Sequence, residues 1–335
     1  MRLKKDIPEF PLSSENMITS HPSLTMPSKA TGEALIFLHI YKTGGLSLRN
    51  LVLRSCRGQK HWDTGLGEVT NQQWADYLNK LRTVPVGELA SYRLFMGHMP
   101  LGLHEVLPKG ARYVTFLRDP VNRMTSYFRM QHRRGLIPAL SMIHPSKPDW
   151  NLLGAPLLLR TLDNGQTRVL AGADPDLPFG QCTEDHLRAA KANLDQHFDL
   201  VGLTENFPLS LALLRRMYGW KWHFYVPRNV APPAEAESKL APEVLEEMRR
   251  LNRFDLELYR YAEQRLREQA RYYGFSLRMD YSLFVSCNQA HQVVQKARKN
   301  IKRRFMEGMG IASPVAAEPK PRILPENSTV PATLE

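Results

Sequence analysis

One segment near the start of the sequence, residues 34–56, restricts the fold more than any other. It reads ALIFLHIYKTGGLSLRNLVLRSC, an apolar run followed by a lysine, a pair of glycines and a helical pattern of leucines. The run is apolar on both of its faces, which is typical of a strand covered by helices on both sides of a parallel sheet. The segment therefore predicts a strand, a tight turn and a helix of an α/β fold.

Three further apolar runs indicate the rest of the sheet, at residues 92–98, 112–118 and 198–205. Each run is short and is followed by a helical pattern, as in repeated strand–helix units. We predict an α/β protein with a three-layer, P-loop-like fold, in which a central parallel sheet is flanked by helices and C-terminal helices are added.

Composition along the chain sets the expected domain limits. Residues 34–308 are predicted to form one folded domain, preceded by an irregular segment at 1–33 and followed by a disordered, proline-rich tail at 309–335. Within the domain we expect a helix after Asp119-Pro120, a long helix over 242–272, and inserted loops at 57–90 and 134–190.

Basic side chains follow three of the predicted strands. Lys42 follows the first strand, His98 the second and Arg118 the third. Ligands of open parallel sheets bind beyond the carboxyl ends of the strands. The three side chains are therefore expected at one edge of the sheet, around one ligand.

The glycine pair gives the first turn the chemistry of an anion site. Gly44 and Gly45 let backbone N–H groups approach an oxyanion closely, and the following helix directs its N-terminus toward the same point. Lys42 adds a full positive charge, and Thr43 and Ser47 add hydroxyl groups. The same residues also fit an ordinary strand–helix turn whose glycines serve only close packing.

The spacing argues against a nucleoside triphosphate as the ligand of this turn. The loop that binds ATP or GTP has the pattern G-x-x-x-x-G-K-[ST], with the lysine after the last glycine. In this chain the lysine precedes both glycines. We therefore expect a smaller anionic group and no magnesium-binding hydroxyl.

The charge balance also favours an anionic partner. The chain of 335 residues has 45 Lys and Arg against 33 Asp and Glu, a formal net charge of +12. A basic helix over residues 296–304 is either a solvated surface or a contact for an acidic polysaccharide, a membrane or a nucleic acid. Three scattered cysteines, no apparent signal peptide and no apolar run of membrane-spanning length predict a cytoplasmic protein.

Two motifs resemble the carbohydrate sulfotransferases typified by heparan sulfate 2-O- and 6-O-sulfotransferases, a group that includes many bacterial proteins. HIYKTGG-LSL is similar to the 5′-phosphosulfate loop H-I-P-K-T-G-G-T-S, with Tyr41 in place of proline and Leu46 in place of threonine. VTFLRDPVNRMTSYF is similar to the 3′-phosphate segment, in which a strand is followed by R-D-P-x-x-R-x-x-S-Y.

The resemblance implies a donor, 3′-phosphoadenosine 5′-phosphosulfate, and transfer of its sulfuryl group without a required metal. It also implies a glycan or another hydroxylated compound, including an anionic one, as acceptor. From the sequence itself we expect no specific nucleic acid, because no aromatic residues interleave the basic helix, and no membrane span, because no apolar run is long enough. Lys42 would be catalytic, and the donor-binding residues it implies are Lys42, Thr43, Gly44, Gly45, Ser47, Leu48, Arg118 and Ser126.

A histidine is the natural base for an alcohol acceptor near neutral pH. His98 follows a strand at the same predicted edge as Lys42 and resembles the base of the 2-O group, while His104 resembles that of the 6-O group and is the second candidate. His39 is predicted to be a structural residue. A weaker similarity in DNGQTRVLAG makes Arg168 a modest candidate near the donor and acceptor.

Two other functions remain open from the sequence. One is a nucleotide-dependent kinase or NTPase on a similar fold, which would require Mg²⁺ with ATP or GTP. The other is a non-catalytic polyanion-binding relative that keeps the fold.

Overall fold

A single parallel sheet organises the chain. The computed structural model describes residues 33–65, 69–133, 162–226 and 242–308. The strands are β1 (Ala34–Leu38), β2 (His61–Asp63), β3 (Leu94–Gly97), β4 (Ala111–Leu117) and β5 (Phe198–Leu203). Their order is β2-β3-β1-β4-β5, and every neighbouring pair is parallel. The predicted α/β class with a central parallel sheet is confirmed.

Helices cover the sheet and continue beyond it. In chain order they are α1 (Gly45–Ser55), α2 (Asn71–Thr83), α3 (Val86–Leu89), α4 (Pro120–Arg133), α5 (Gly165–Ala171), α6 (Glu184–His197), α7 (Phe207–Tyr218), α8 (Pro242–Leu251) and α9 (Arg253–Gly308), with a short 3₁₀ helix at Leu103–Val106. β1 is buried along its whole length, because helices shield both faces of the sheet.

The region 57–90, predicted as an inserted loop, contains an edge strand and two helices. β2 consists of only three residues and pairs with β3. α2 begins with a capping box, in which Thr70 and Gln73 each bond the other's backbone. The region 134–190 contains α5 and the start of α6, and its residues 134–161 lie outside the described ranges.

The predicted helix 242–272 is two helices that meet at Asn252. The buried amide of Asn252 donates to the carbonyl of Leu162 at 2.8 Å and to that of Met248 at 3.1 Å. These bonds satisfy a backbone group at the end of α8 while the chain turns into α9. α9 then extends to Gly308 with one non-helical residue, Gly274, at φ 56° and ψ −136°.

The irregular N-terminal segment (1–33) and the C-terminal tail (309–335) that the sequence predicts lie almost wholly outside the part of the chain that the structure describes. Residues 1–32 and 309–335 lie outside the described ranges. Among the helices that are described, none is both long and apolar enough to cross a lipid bilayer.

Candidate active site

The strand order brings the three predicted basic residues together. β1 is the central strand, with β3 on one side and β4 on the other. Leu38 at the end of β1 pairs with Gly97, the residue before His98, and Arg118 directly follows β4. The order changes direction at β1, which is where ligands bind in open α/β sheets. Lys42 therefore lies between His98 and Arg118 at the edge of the sheet that is formed by the carboxyl ends of the strands.

The loop after β1 is held in an unusual backbone conformation. Lys42 and Gly44 have φ values of 67° and 82°, both in the left-handed region. The buried hydroxyl of Thr43 donates to the carbonyl of Ile40 at 2.9 Å, and the hydroxyl of Thr204 donates to the carbonyl of Thr43 at 2.9 Å. These bonds fix the loop from inside and from β5. The Thr43 hydroxyl, expected to contact the donor, is thus already engaged in holding the loop.

The start of α1 provides free backbone donors. Gly44 precedes the helix, and the first turn contains no acidic side chain, so the positive end of the helix dipole and the N–H groups that are not used within the turn remain available to an anion. Ser47 is half-buried in this turn, and its N–H donates to the carbonyl of Gly44 at 3.1 Å. Leu48, expected near the donor, has its side chain in the core, so any contact with a ligand would come from its backbone.

Gly45 leaves room for the ring of His39. A Cβ on Gly45 would lie 1.5 Å from Nε2 of His39. His39 follows the end of β1 and is itself stacked on His98, with ring centroids 4.1 Å apart. Glycine is required here by packing, and the loop backbone approaches the histidine stack directly as a result.

Replacing Gly45 by alanine is expected to lower the free energy of unfolding by about 1–3 kcal/mol, the usual cost of overpacking. His39 cannot swing aside without breaking its contact with His98. The matched control is Gly87→Ala in α3, where a Cβ would meet no atom within 4 Å. Chemical denaturation of both variants checks the prediction, and equal stability of the Gly45→Ala variant and the wild type would contradict the described packing.

Arg118 is anchored beside the loop. Its Nη1 donates to the carbonyl of Lys42 at 3.2 Å, and its Nε lies 3.9 Å from Oε1 of Glu205. Glu205 also accepts from the hydroxyl of Tyr259 at 3.0 Å. Burial lowers the pKa of Arg118, and the charges of Glu205 and Asp119 oppose this shift. The guanidinium remains a cation with donors to spare, as a phosphate ligand requires.

Gln166 holds the backbone of Arg118 from both sides. Its Oε1 accepts from the N–H of Arg118 and its Nε2 donates to the carbonyl of Arg118, both at 2.9 Å. Gln166 is fully buried, and its own N–H donates to Asp255 of α9 at 3.1 Å. Asp255 in turn accepts from the backbone and hydroxyl of Thr167 at 2.7 and 2.8 Å. The position of Arg118 thus depends on a buried polar network between α5 and α9.

Ser126 lies on the side of α4 that faces the loop. Nζ of Lys42 lies 3.8 Å from Sδ of Met130, and Met130 is one turn beyond Ser126 on the same face of the helix. Asp119 accepts from the N–H of Asn122 at 2.9 Å, which confirms the predicted cap and the helix start at Pro120. Lys42, Arg118 and Ser126 are therefore arranged around one part of the sheet edge.

His98 lies in a stack of three aromatic rings. The ring of Tyr41 is 3.9 Å from that of His98 at an interplanar angle of 14°, and His39 covers the other side. The Nδ1 of His98 is buried and, among the described residues, makes no hydrogen bond of normal geometry. The ring is thus fixed by stacking at the end of β3.

Burial lowers the pKa of His98 to about 4, although the backbone of His39 and the charge of Asp63 oppose the shift. The pKa of His39 is held well below its ordinary value, first by burial, then by repulsion from His98 whenever that ring is protonated, and by the positive charges of Arg49 and Lys42. His98 is therefore neutral over the physiological range of pH, and a neutral imidazole is the form that can accept a proton.

His104, the second candidate base, lies at the opposite end of the strands, beside their amino ends. Its Nδ1 is 2.9 Å from the hydroxyl of Tyr113, the third residue of β4, and its ring is 4.3 Å from that of His197, which precedes β5. Tyr113 is five residues before Arg118, about 16 Å along a strand. His104 therefore cannot serve a reaction at Lys42 in this conformation.

Arg168 has a structural environment. It is buried, pairs with the carboxylate of Asp163, and donates to the carbonyls of Leu177 and Pro178 at 2.7 and 2.8 Å. These bonds close the turn after α5. Within the segment DNGQTRVLAG, Gln166 and not Arg168 contacts the site, through its bonds to the backbone of Arg118.

Three residues of this edge were missed by sequence reasoning: Tyr41, Gln166 and Thr204. Tyr41 was noted only as a departure from the loop pattern, and Gln166 only as a letter of a weak motif. Thr204 gives no signal of its own, because its bonds to the carbonyls of Thr43 and Leu117, at 2.9 and 3.1 Å, depend on β5 lying beside β4.

Comparison with known proteins agrees with the predicted resemblance. The family model described as galactose-3-O-sulfotransferase matches residues 1–316. A heparan-sulfate 6-O-sulfotransferase 2 of Danio rerio is 26% identical over 341 residues, covering 86% of this chain and 67% of the relative. A galactose-3-O-sulfotransferase 2 of Homo sapiens is 28% identical over 204 residues, covering 56% of this chain and 48% of the relative.

The chain thus spans about two thirds of the first of these relatives and about half of the second. The two groups of relatives act, by their names, on different sugars and different hydroxyl positions, so the comparison fixes the family rather than the acceptor. With the family model covering nearly the whole sequence, the chain belongs to the galactose-3-O-sulfotransferase family of carbohydrate sulfotransferases.

Proposed function

We propose that this protein transfers a sulfuryl group from 3′-phosphoadenosine 5′-phosphosulfate to a hydroxyl of a carbohydrate. The observation that carries the proposal is the placement of Lys42 between Arg118 and His98 at the edge of the sheet. A donor site on one side of the lysine and an acceptor site on the other is the arrangement that an in-line transfer needs.

The residues on the β4 side fit the donor. The backbone of the loop at Gly44 and Gly45, together with the start of α1, suits the 5′-phosphosulfate, because the helix begins there without a side-chain cap and without an acidic residue in its first turn. Arg118 and Ser126 suit the 3′-phosphate. Lys42 suits the oxygen that bridges phosphorus and sulfur, where negative charge develops as the S–O bond breaks.

The residues on the β3 side fit an alcohol acceptor. The acceptor oxygen forms the new bond to sulfur, its proton passes to His98, and adenosine 3′,5′-bisphosphate leaves. Nδ1 of His98 is buried, so Nε2 is the atom assigned to the proton. The names of the relatives support a sugar hydroxyl, since both describe O-sulfation of a carbohydrate.

Binding of adenosine 3′,5′-bisphosphate is expected to raise the melting temperature without any metal, whereas Mg-ATP has little effect. The bisphosphate carries both anionic groups for which the edge provides ligands. Thermal shift with each nucleotide, with and without Mg²⁺, checks this expectation. Stabilisation by Mg-ATP alone would replace the proposal with a kinase or NTPase, and binding of the bisphosphate without transfer to any glycan would indicate a non-catalytic relative.

The same assay can separate the two ends of the donor site. Arg118→Ala should weaken binding of the bisphosphate at least about tenfold, the loss expected for a charge-assisted bond of 1.5–3 kcal/mol, and should change binding of adenosine 5′-monophosphate little. Arg57→Ala is the matched control, because Arg57 is exposed beyond the far end of α1. An equal loss for both nucleotides would mean that Arg118 does not bind the 3′-phosphate.

A further inference from the structure

The outer face of α9 after Gly274 carries a row of exposed apolar side chains. Of the ten large apolar residues that are exposed in the described ranges, seven belong to this part of the helix. We call them the outer row: Phe275, Met279, Leu283, Val293, Val294, Ile301 and Phe305. Spacings of four, seven and eleven residues link all of them except Val293 and place them on one side of the helix. Small residues continue the row at Ser286, Ala290 and Ala297, and Val293 is seven residues from the first and four from the last of these.

The outer row lies opposite the face that binds the helix to the rest of the protein. Leu277, Phe284 and Asn288 are buried. Phe284 stacks on Trp222 with ring centroids 5.0 Å apart, and Oδ1 of Asn288 accepts from the N–H of Tyr225 at 2.8 Å. Residues two positions apart, such as Phe275 and Leu277, are separated by about 200° around the helix axis and lie on opposite sides of it. The outer row therefore faces away from the rest of the protein. The helix is thus held on one side and presents about 45 Å of apolar surface on the other.

The charge around the C-terminal half of the outer row has one sign. Residues 296–304 include six basic side chains and no acidic one, and the residues from Lys296 to Phe305 are all exposed. No acidic residue occurs anywhere between Tyr281 and Met306. An apolar face flanked by lysines and arginines is the pattern of a helix that lies in the interface of an anionic membrane.

We propose that the outer row and the basic residues around it dock this protein onto an anionic lipid surface. The inference goes beyond the proposed function and does not depend on it. The apolar side chains enter the boundary between headgroups and acyl chains, and the basic side chains contact the lipid phosphates. The helix lies along the membrane and does not cross it.

Charge complementarity selects the membrane over the other occupants. A second copy paired through the outer row would bring Arg304, which lies on this face, against a surface that has no carboxylate between Tyr281 and Met306. The carboxylate just before this interval, that of Asp280, already pairs with Arg215 and Arg216. An acidic polysaccharide would supply negative charge but no apolar surface to cover residues such as Phe275, which is 74% exposed. An anionic bilayer supplies both.

Co-sedimentation with vesicles tests the proposal on the full chain. We expect binding to vesicles of phosphatidylcholine with phosphatidylserine, little binding to phosphatidylcholine alone, and weakening by salt. The double variant Ile301→Ser with Phe305→Ser should reduce binding at least about tenfold, since each removes an apolar anchor. Arg298→Gln with Arg304→Gln should reduce it at low salt, because these two arginines lie beside and on the face of the outer row. Val86→Ser, which removes an exposed apolar side chain of α3, is the matched control and should bind as the wild type does.

Two results would overturn the proposal. One is the absence of binding to the anionic vesicles, or binding that the outer-row variant leaves unchanged. The other is a concentration-dependent dimer in sedimentation velocity that the outer-row variant dissolves, without vesicle binding, which would assign the row to a second copy. Because both readouts are independent of donor binding and transfer, they remain interpretable if the proposed function fails.

Discussion

Replacing Lys42 by glutamine is expected to lower kcat for sulfuryl transfer by about 10²–10³-fold, the loss typical of removing one donor to a developing oxyanion. The lysine is the cation that the loop after β1 holds between Arg118 and His98. Glutamine keeps the length of the stem and a hydrogen-bond donor but loses the positive charge. The charge on the leaving oxygen grows only in the transition state, so kcat should fall more than the affinity for adenosine 3′,5′-bisphosphate.

Backbone strain at residue 42 does not differ between the wild type and the substitutions proposed there. Lys42 has φ 67°, and glutamine, alanine and arginine all bear the same strain there as lysine does. Lys42→Arg should recover part of the activity because it restores a cation. Lys60→Gln serves as the distant control, since Lys60 precedes β2 at the other edge and is half-exposed beside Glu88. Single-turnover transfer of labelled sulfate measures the effect, and activity within threefold of the wild type (about 0.65 kcal/mol) would exclude Lys42 from the transition state.

The interior strands could be predicted from the sequence because burial on both faces requires a continuous run of apolar residues. β1 and β4 are apolar on both faces, and their buried residues match the runs that indicated them. β2 left no such mark, since its three residues lie at the edge of the sheet and two of them are exposed. Its assignment depends on pairing with β3, which is a property of the fold rather than of the segment.

The same distinction applies to the site. The sequence order of strand ends was sufficient to bring Lys42, His98 and Arg118 to one edge, since parallel strands end together. It could not decide between His98 and His104, which are separated by six residues in the chain but lie at opposite edges of the sheet. The chain folds back through the 3₁₀ helix between them, and this reversal has no distinctive pattern.

Tyr41 shows how a departure from a motif acquires a structural meaning. A proline at this position would only stiffen the turn, whereas the tyrosine ring lies flat on His98. The stack shields the imidazole from water, which favours its neutral form. The substitution in the loop thus affects the surroundings of His98, and no property of the loop segment alone indicates this connection.

Replacing His98 by glutamine is expected to lower kcat by about 10²–10⁴-fold, the range typical of losing a general base. Glutamine retains a polar side chain of similar length but cannot accept the proton of the acceptor hydroxyl. The proposed donor ligands are in the loop and on the β4 side, so the affinity for adenosine 3′,5′-bisphosphate should stay within about threefold of the wild type. A loss in transfer together with intact binding distinguishes the base from a residue that only supports the fold.

His104→Gln is the matched control for this prediction. Burial lowers the pKa of both histidines, but His104 lies beside Tyr113 and His197 at the opposite edge. The glutamine amide can preserve the hydrogen bond to Tyr113. We expect nearly full activity from this variant, and a reversed outcome, with His104→Gln inactive and His98→Gln active, would require a rearrangement that moves the 3₁₀ helix to the other edge.

The pH dependence gives the assignment of His98 a signature of its own. The groups around its ring are His39 after β1, Asp63 at the end of β2 and Tyr41 of the loop, and burial is the largest influence on its pKa of about 4. A base with this pKa is deprotonated at neutral pH and becomes inactive only as the pH falls through about 4. The wild-type kcat/KM should therefore be flat near pH 6.5, where an exposed histidine would titrate.

The same shift sets the direction in which His98 influences stability. Its pKa in the folded protein lies below the ordinary value of 6.5, so the folded state is weakened as the pH falls from about 6.5 toward 4, where the unfolded chain takes up a proton that the folded protein excludes. Opening the stack with Tyr41→Ala should raise the pKa of His98 and move the acid limb of kcat/KM upward, while Tyr41→Phe should leave it in place. If the acid limb of kcat/KM lies at the same pH in all three proteins, the stack with Tyr41 does not set the pKa of the group that accepts the proton.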